Sequence, residues 1–334
     1  MDCLALYDLA YALASRDGRH ITLFGNGANA AREAFSRCLT GNTFPELWFE
    51  LPLTGEPWFD FHALTSYETV AGTQARFAGH SGVYADALNW FAAQEPHTVR
   101  QLALSYDTST NDVENPAVQL LMDNFNTPVT LDFLKAAGRP DLEDAYGNFV
   151  GSIPAAWYPC YIGLFPQRGQ DGKSPWLRVE CILDEACQDA YACDGDLLRN
   201  HLAGIGLEAF DDDLIPGVQM LAQLPFRLEF QLNIDEQGKA LPVLSASLRF
   251  QSEDFKDQAK REQIVALLNQ LQDKGLADER WRLIMDTLFV KRVTHEGESV
   301  VLSNIPTFIK LRWRKGLAPD AKAYLMVQAQ EAHA

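Results

Sequence analysis

The sequence predicts an α+β protein: a closed antiparallel β-barrel of about ten strands, laid down in pairs and surrounded by helices. All of residues 1–334 would form this single domain. Three observations lead there. Strand-like segments recur as hairpins with helices between them. The clearest strands alternate apolar and polar side chains, with basic and aromatic groups prominent on the polar side. The last two strands also carry a ridge of cations, in a chain of formal net charge -17.

The N-terminal half is the less regular one. Helices are expected over Asp2–Ser15 and Ala28–Cys38. Phe24-Gly25-Asn26-Gly27-Ala28-Asn29 lacks the Gly-x-Gly-x-x-Gly spacing and reads as a turn leading into a helix N-cap. Glu46–Pro52 and Trp58–Ser66 flank Thr54-Gly55-Glu56-Pro57 and form a strand pair. Tyr84–Ala93 is a helix and Val99–Tyr106 a strand, whose partner is placed near residues 68–78. Pro116–Phe125 and Leu131–Ala137 read as helices.

From residue 157 the pattern is regular. Trp157–Leu164 and Trp176–Leu183 are strands joined by the turn-rich segment Gln167–Lys173. Short helices follow over Glu185–Ala192, Asp196–Ile205 and Pro216–Leu224. Phe226–Ile234 and Leu241–Gln251 make the next hairpin. Phe255–Lys274 is a helix with Ile264, Leu267, Leu268 and Leu271 on one face and Gly275 as its C-cap. Asp278–Val290 is a second helix. Phe308–Arg314 and Ala321–Gln328 end the pattern, joined by a turn containing Gly316 and Pro319.

Strand faces separate the possible architectures. Phe226, Leu228, Phe230, Leu232 and Ile234 share one face of their strand, with Arg227, Glu229, Gln231 and Asn233 opposite. Leu244, Ala246, Leu248 and Phe250 oppose Ser245, Ser247, Arg249 and Gln251; Arg178 and Glu180 alternate with Leu177, Val179 and Cys181. A doubly wound parallel sheet buries both faces and lacks such alternation. Closure removes the edges and turns the polar face into a lumen. An open antiparallel sheet with helices on one face is the alternative, its polar side simply solvated.

On the final strands Lys310, Arg312 and Arg314 share one face, as do Lys322, Tyr324 and Gln328. This ridge suits a multiply charged anion. The overall acidity argues against nucleic acid or an anionic membrane as partner. No apolar run reaches the ~20 residues of a membrane span, and the N-terminus lacks a basic signal-peptide region. Six cysteines without a Cys-x-x-Cys pair read as reduced, cytoplasmic thiols. Cys181, Cys187 and Cys193 are evenly spaced but have no histidine at ligand spacing, so they read as buried thiols and no metal site is expected. Asp211-Asp212-Asp213 is the nearest approach to the Asp-Asp-x-x-Asp motif that binds diphosphate through magnesium, and Ile215 stands where the last aspartate is needed. No nucleotide-binding Gly-Lys-Ser/Thr loop, Gly-x-Ser-x-Gly elbow or His-Glu-x-x-His is present.

The strand and helix order, together with Lys322-Ala323-Tyr324 and the basic strands, resembles the ABBA-type prenyltransferases, whose members modify aromatic compounds or peptides. The resemblance implies a prenyl diphosphate such as dimethylallyl or geranyl diphosphate inside the barrel. No cofactor would be required beyond this co-substrate, and magnesium would be inessential. Arg178, Arg249, Lys310, Arg312 and Lys322 would hold the diphosphate and Tyr324 would shield the allylic cation. Glu50, on the first strand, would act on the nucleophilic acceptor; a buried ion pair is its other reading. Trp48 would stack on the acceptor, an indole, phenol or peptide side chain. His62 would border it, unless it is an ordinary core or rim histidine. The rival reading is a non-catalytic anion- or peptide-binding accessory of a peptide-modifying pathway.

Overall fold

The structure is a computed structural model. It describes residues 5–8, 19–25, 27–34, 46–67, 69–76, 79, 81–95, 98–107, 116–122, 126–166, 177–208, 213–286, 288–295 and 297–331. Among the described residues eleven strands form one sheet. They are β1 (Glu46–Pro52), β2 (Asp60–Thr65), β3 (Gln101–Tyr106), β4 (Ala117–Leu121), β5 (Trp157–Leu164), β6 (Leu177–Leu183), β7 (Arg227–Ile234), β8 (Ala240–Arg249), β9 (Phe289–His295), β10 (Glu298–Arg314) and β11 (Leu317–Glu331). Strands β1 to β8 follow one another around the barrel, β10 lies beside β8, β11 beside β10, and β11 pairs back onto β1. All neighbours are antiparallel. The closing register sets Glu50 opposite Tyr324 and Pro52 opposite Lys322. Strand β9 is paired only with the first half of β10 and stands outside the ring. The β11–β1 pairing decides for the closed barrel over the open sheet.

The helices described are α1 (Arg19–Phe24), α2 (Gly27–Ala34), α3 (Val70–Arg76), α4 (Val83–Ala92), α5 (Thr127–Ala136), α6 (Glu143–Ser152), α7 (Glu185–Cys193), α8 (Gly195–Gly204), α9 (Leu214–Ala222), α10 (Gln258–Asp273) and α11 (Arg280–Asp286). Their starts follow local chemistry. Asn126, Asp184, Asp194 and Asp257 each accept a backbone N–H from the first turn that follows them. Helix α10 buries Ile264, Leu267, Leu268 and Leu271, and the chain leaves it through Gly275 at a φ of 71°.

The core lies between the barrel wall and these helices. On β7, Leu228, Phe230 and Leu232 are fully buried on the outward face. Trp157 of β5 meets Phe230 edge-on at 5.0 Å and donates its indole N–H to the hydroxyl of Tyr191 in α7 at 2.9 Å. Each such aromatic contributes about 3–5 kcal/mol by the loss expected on truncation to alanine. The opposite side chains of β7, Glu229 and Gln231, and Ser247 of the neighbouring β8 point into the lumen.

Three expected elements are corrected. Residues 70–76 are helix α3, and β3 pairs with β2 and β4. Ala117–Leu121 is the strand β4: Val118 and Leu120 are fully buried in the outer wall, while Gln119 between them lines the lumen. The helix expected to reach Val290 stops at Asp286, and residues 289–295 form β9. β-Branched Val290, Val293 and Thr294 favour a strand there, and β10 supplies the backbone partners. Parts of the two N-terminal helices, the turn at 167–173 and the Asp211-Asp212 pair lie outside the described residues. Cys181 and Cys187 are buried as expected, but Cys193 is exposed.

Gly238, in the β7–β8 turn, has a φ of +83°, and a Cβ there would lie 2.3 Å from the carbonyl oxygen of Ala145 in α6. Gly238→Ala is therefore expected to destabilise the protein by about 1–3 kcal/mol, measurable as a lower Tm. An unchanged Tm would show that this hairpin does not depend on its contact with α6.

Candidate active site

The lumen holds two adjoining chambers, which share Glu50, His62, Gln119, Arg178, Gln231 and Lys310. The first is basic and adds Asp60, Asp107, Arg312, Arg314 and Lys322. The second is more aromatic and adds Trp48, Arg249, Phe308 and Tyr324, along with Glu180 and Glu229. Beyond the second, a wider mouth is bordered by Trp48, Arg249, Phe308, Lys256 and Gln328.

Strand alternation puts five of the expected residues into one cluster between the chambers. Glu50 on β1 accepts from Lys322 Nζ and from the Tyr324 hydroxyl, both on β11. Lys310 on β10 donates to Tyr324 Oη at 2.5 Å and to Gln231 Oε1 at 3.1 Å. Its ammonium lies 4.5 Å from the centre of the Tyr324 ring. His62 on β2 has Nε2 3.6 Å from Glu50 Oε2, at ion-pair rather than hydrogen-bond distance, and Nδ1 2.6 Å from Ser105 Oγ.

Burial sets the protonation states. It disfavours charge on Glu50, but Lys322, His62 and Lys310 outweigh it and hold the carboxyl well below the usual carboxylate range. Burial, then the charge of Glu50, raises the Tyr324 phenol well above its ordinary value, so it stays a donor. Burial depresses His62. Burial also pushes Lys310 down to about 8, against the pull of Glu50 and Glu180.

The remaining expected cations have internal partners. Arg312 and Arg314 both bind Asp320, at 2.9 and 2.8 Å. Arg249 Nη1 lies 3.4 Å from Glu229, and its guanidinium sits 5.6 Å from the Phe308 ring centre. Arg178 donates to Asn233 at 3.0 Å and lies 4.4 Å from the Phe165 ring centre. Trp48 packs on Phe308 at 5.5 Å and donates to Glu46. Asp320 was not among the expected residues. Its signal was its position two residues before Lys322, on the same strand face.

An antiparallel barrel closed by ten of eleven strands, with helices outside and a polar lumen, is the ABBA fold of aromatic prenyltransferases. The chain matches no known protein-family profile and no curated protein. It does align with solved structures. One is the prenyltransferase PriB in its apo form, at TM-score 0.57 and 13% identity, over 97% of this chain and 96% of that one. PriB in ternary complex with L-tryptophan and dimethylallyl thiolodiphosphate aligns at TM-score 0.54 and 14% identity, over 97% and 96%. 6-Dimethylallyltryptophan synthase from Micromonospora olivasterospora, in complex with DMASPP and Trp, aligns at TM-score 0.53 and 12% identity, over 96% and 95%. At this level of identity the likeness is one of fold.

Proposed function

We propose that the protein is a metal-independent prenyltransferase that moves an allylic group from a prenyl diphosphate to an electron-rich aromatic acceptor. The observation that carries this reading is the Glu50–Lys322–Tyr324–Lys310 cluster inside a closed lumen. Solved proteins of the same fold, crystallised with a dimethylallyl diphosphate analogue and tryptophan, support it. The donor diphosphate would enter the basic chamber, facing Lys310, Lys322, Arg178 and Arg312, with Arg249 in the second chamber. As the C–O bond ionises, charge moves onto the leaving diphosphate, and fixed cations stabilise it there. The ring of Tyr324, whose hydroxyl already accepts from Lys310, offers an aromatic face for the allylic cation. Trp48 and His62 would border the acceptor.

Glu50 would orient the acceptor and take its proton. In the free protein its carboxylate is a weak base, because Lys322 and Lys310 stabilise its charge. A diphosphate that draws these lysines away raises its basicity, so donor binding prepares the acceptor site.

The test is incubation with dimethylallyl diphosphate and indole in excess EDTA. Diphosphate release and a product heavier by one prenyl group are expected. If neither dimethylallyl nor geranyl diphosphate binds, the reading falls. The internal pairing of Arg312 and Arg314 with Asp320 favours a second reading, an anion- or peptide-binding protein without catalysis. Binding of the donor with no release above background would select it.

Two further results are expected. Asp320→Asn would release both arginines and tighten binding of inorganic diphosphate about 3- to 10-fold, as read by calorimetry. Donor affinity would be highest below pH 8 and would fall as the pH rises past it, because Lys310 loses its proton near 8. A flat profile from pH 6.5 to 9.5 would exclude Lys310 as a ligand.

A further inference from the structure

The second chamber contains a polar cluster that the proposed transfer does not use. Glu180 of β6 and Glu229 of β7 lie on the lumen face, beside Ser247 of β8, which is opposite Glu229 in the ladder. Glu229 is matched by Arg227 at 3.1 Å and Arg249 at 3.4 Å. Glu180 differs. Gln231 donates to its Oε2 at 3.1 Å, but no Lys, Arg or His among the described residues forms an ion pair with it. Lys310 is bridged to it by Gln231 and attracts it from beyond ion-pair distance. Ser247 is 1% exposed and its hydroxyl has no hydrogen-bond partner. A carboxyl without an ion pair, hydrogen-bonded to Gln231 and to its neighbour Glu229, and a hydroxyl without a partner therefore line one wall of this polar and aromatic chamber. Two adjacent carboxyls, one of them without an ion pair, and a bare hydroxyl favour a ligand that brings a positive charge and N–H donors.

We infer that Glu180, with Ser247, is the binding site for a protonated amine carried by the acceptor. The missing partner has one positive charge and several N–H donors. A primary ammonium meets that description. A divalent cation does not, because Arg227, Arg249 and Lys310 already balance the neighbouring charge. Burial and the adjacent Glu229, which repels Glu180 and shares a hydrogen bond with it, push Glu180 up to about 7, with Lys310 and Gln231 opposing them. The apolar remainder of the acceptor would lie toward Trp48 and Phe308, whose rings are 5.5 Å apart. This rests on reading the chamber as the acceptor's.

Calorimetry with two matched pairs tests it, in the presence of dimethylallyl thiolodiphosphate: tryptamine against 3-ethylindole, and tyramine against 4-ethylphenol. Wild-type protein is expected to bind at least one amine about tenfold or more tightly than its neutral partner. Glu180→Gln should abolish that preference. Ser247→Ala, on another strand, should reduce it about two- to fivefold and leave the neutral compounds unaffected. Equal affinities within both pairs, no binding of either amine, or a preference that survives in both folded variants would overturn the inference. Binding of the thiolodiphosphate alone is measured first, so failure of the donor reading is seen separately.

Discussion

Replacing Lys310 with methionine is expected to lower kcat/KM for dimethylallyl diphosphate by about 10²–10³, the loss typical for one preorganised charge at a developing anion. Lys310 is 8% exposed and lies where the basic and aromatic chambers meet. There its ammonium would contact both the diphosphate and the hydroxyl of Tyr324. Methionine keeps the length and removes the charge. It also breaks buried hydrogen bonds to Tyr324 and Gln231, so some loss of Tm is expected, and a native circular dichroism spectrum at the assay temperature is the internal control. Lys310→Arg retains a charge but cannot place it in the narrow gap between Tyr324 and Gln231, and should recover only part of the rate. Undiminished turnover in Lys310→Met would remove this residue from the machinery.

Glu50→Gln is expected to move two readouts in opposite directions. Prenylation of the acceptor should fall by about 10²–10⁴, the range for loss of a positioned base. Donor binding should tighten, because Lys322 and Lys310 lose the carboxylate that competes for them. The free variant should be less stable by about 3 kcal/mol, since breaking a buried pair strands its cation. Inorganic diphosphate should restore much of that stability by taking the vacated position. If donor affinity and acceptor turnover fell together, Glu50 would be a structural brace and nothing more.

Much of this arrangement was legible before any coordinates. Strands β6, β7, β8, β10 and β11 alternate cleanly because their two faces meet different media, packed helices outside and a polar lumen inside. That placed Arg178, Lys310, Lys322 and Tyr324 on inward faces. Strand β4 was misread because it has only five residues, and Gln119 is its lone polar inward side chain. A short apolar run carries no period of its own. Strand β9 was absorbed into the preceding helix because its start continued an apolar helical spacing. Asp320 was missed because an acidic residue near a turn looks like a solvated one. Glu180 and Glu229 were seen as polar strand positions, but nothing in one dimension distinguishes a carboxylate with two arginines from one with none. The contact of Glu50 with Lys322, separated by 272 residues, depends on strand pairing that no local pattern encodes.

That separation has a consequence for how the molecule is made. The β1–β11 seam joins the two most distant strands of the ring, and non-local pairing of this kind is slow because loop-closure entropy precedes its reward. The other strands can dock on neighbours already in place, whereas the seam needs both partners delivered from opposite ends of the sheet. Glu50 stands on one side of it, with Lys322 and Tyr324 on the other. The lumen cluster of Glu50, Lys322 and Tyr324 therefore assembles in the same event that completes the ring. Chains caught in a nearly folded intermediate would have their outer core packed and yet be chemically inert, and capture of diphosphate during refolding would time the last step of maturation.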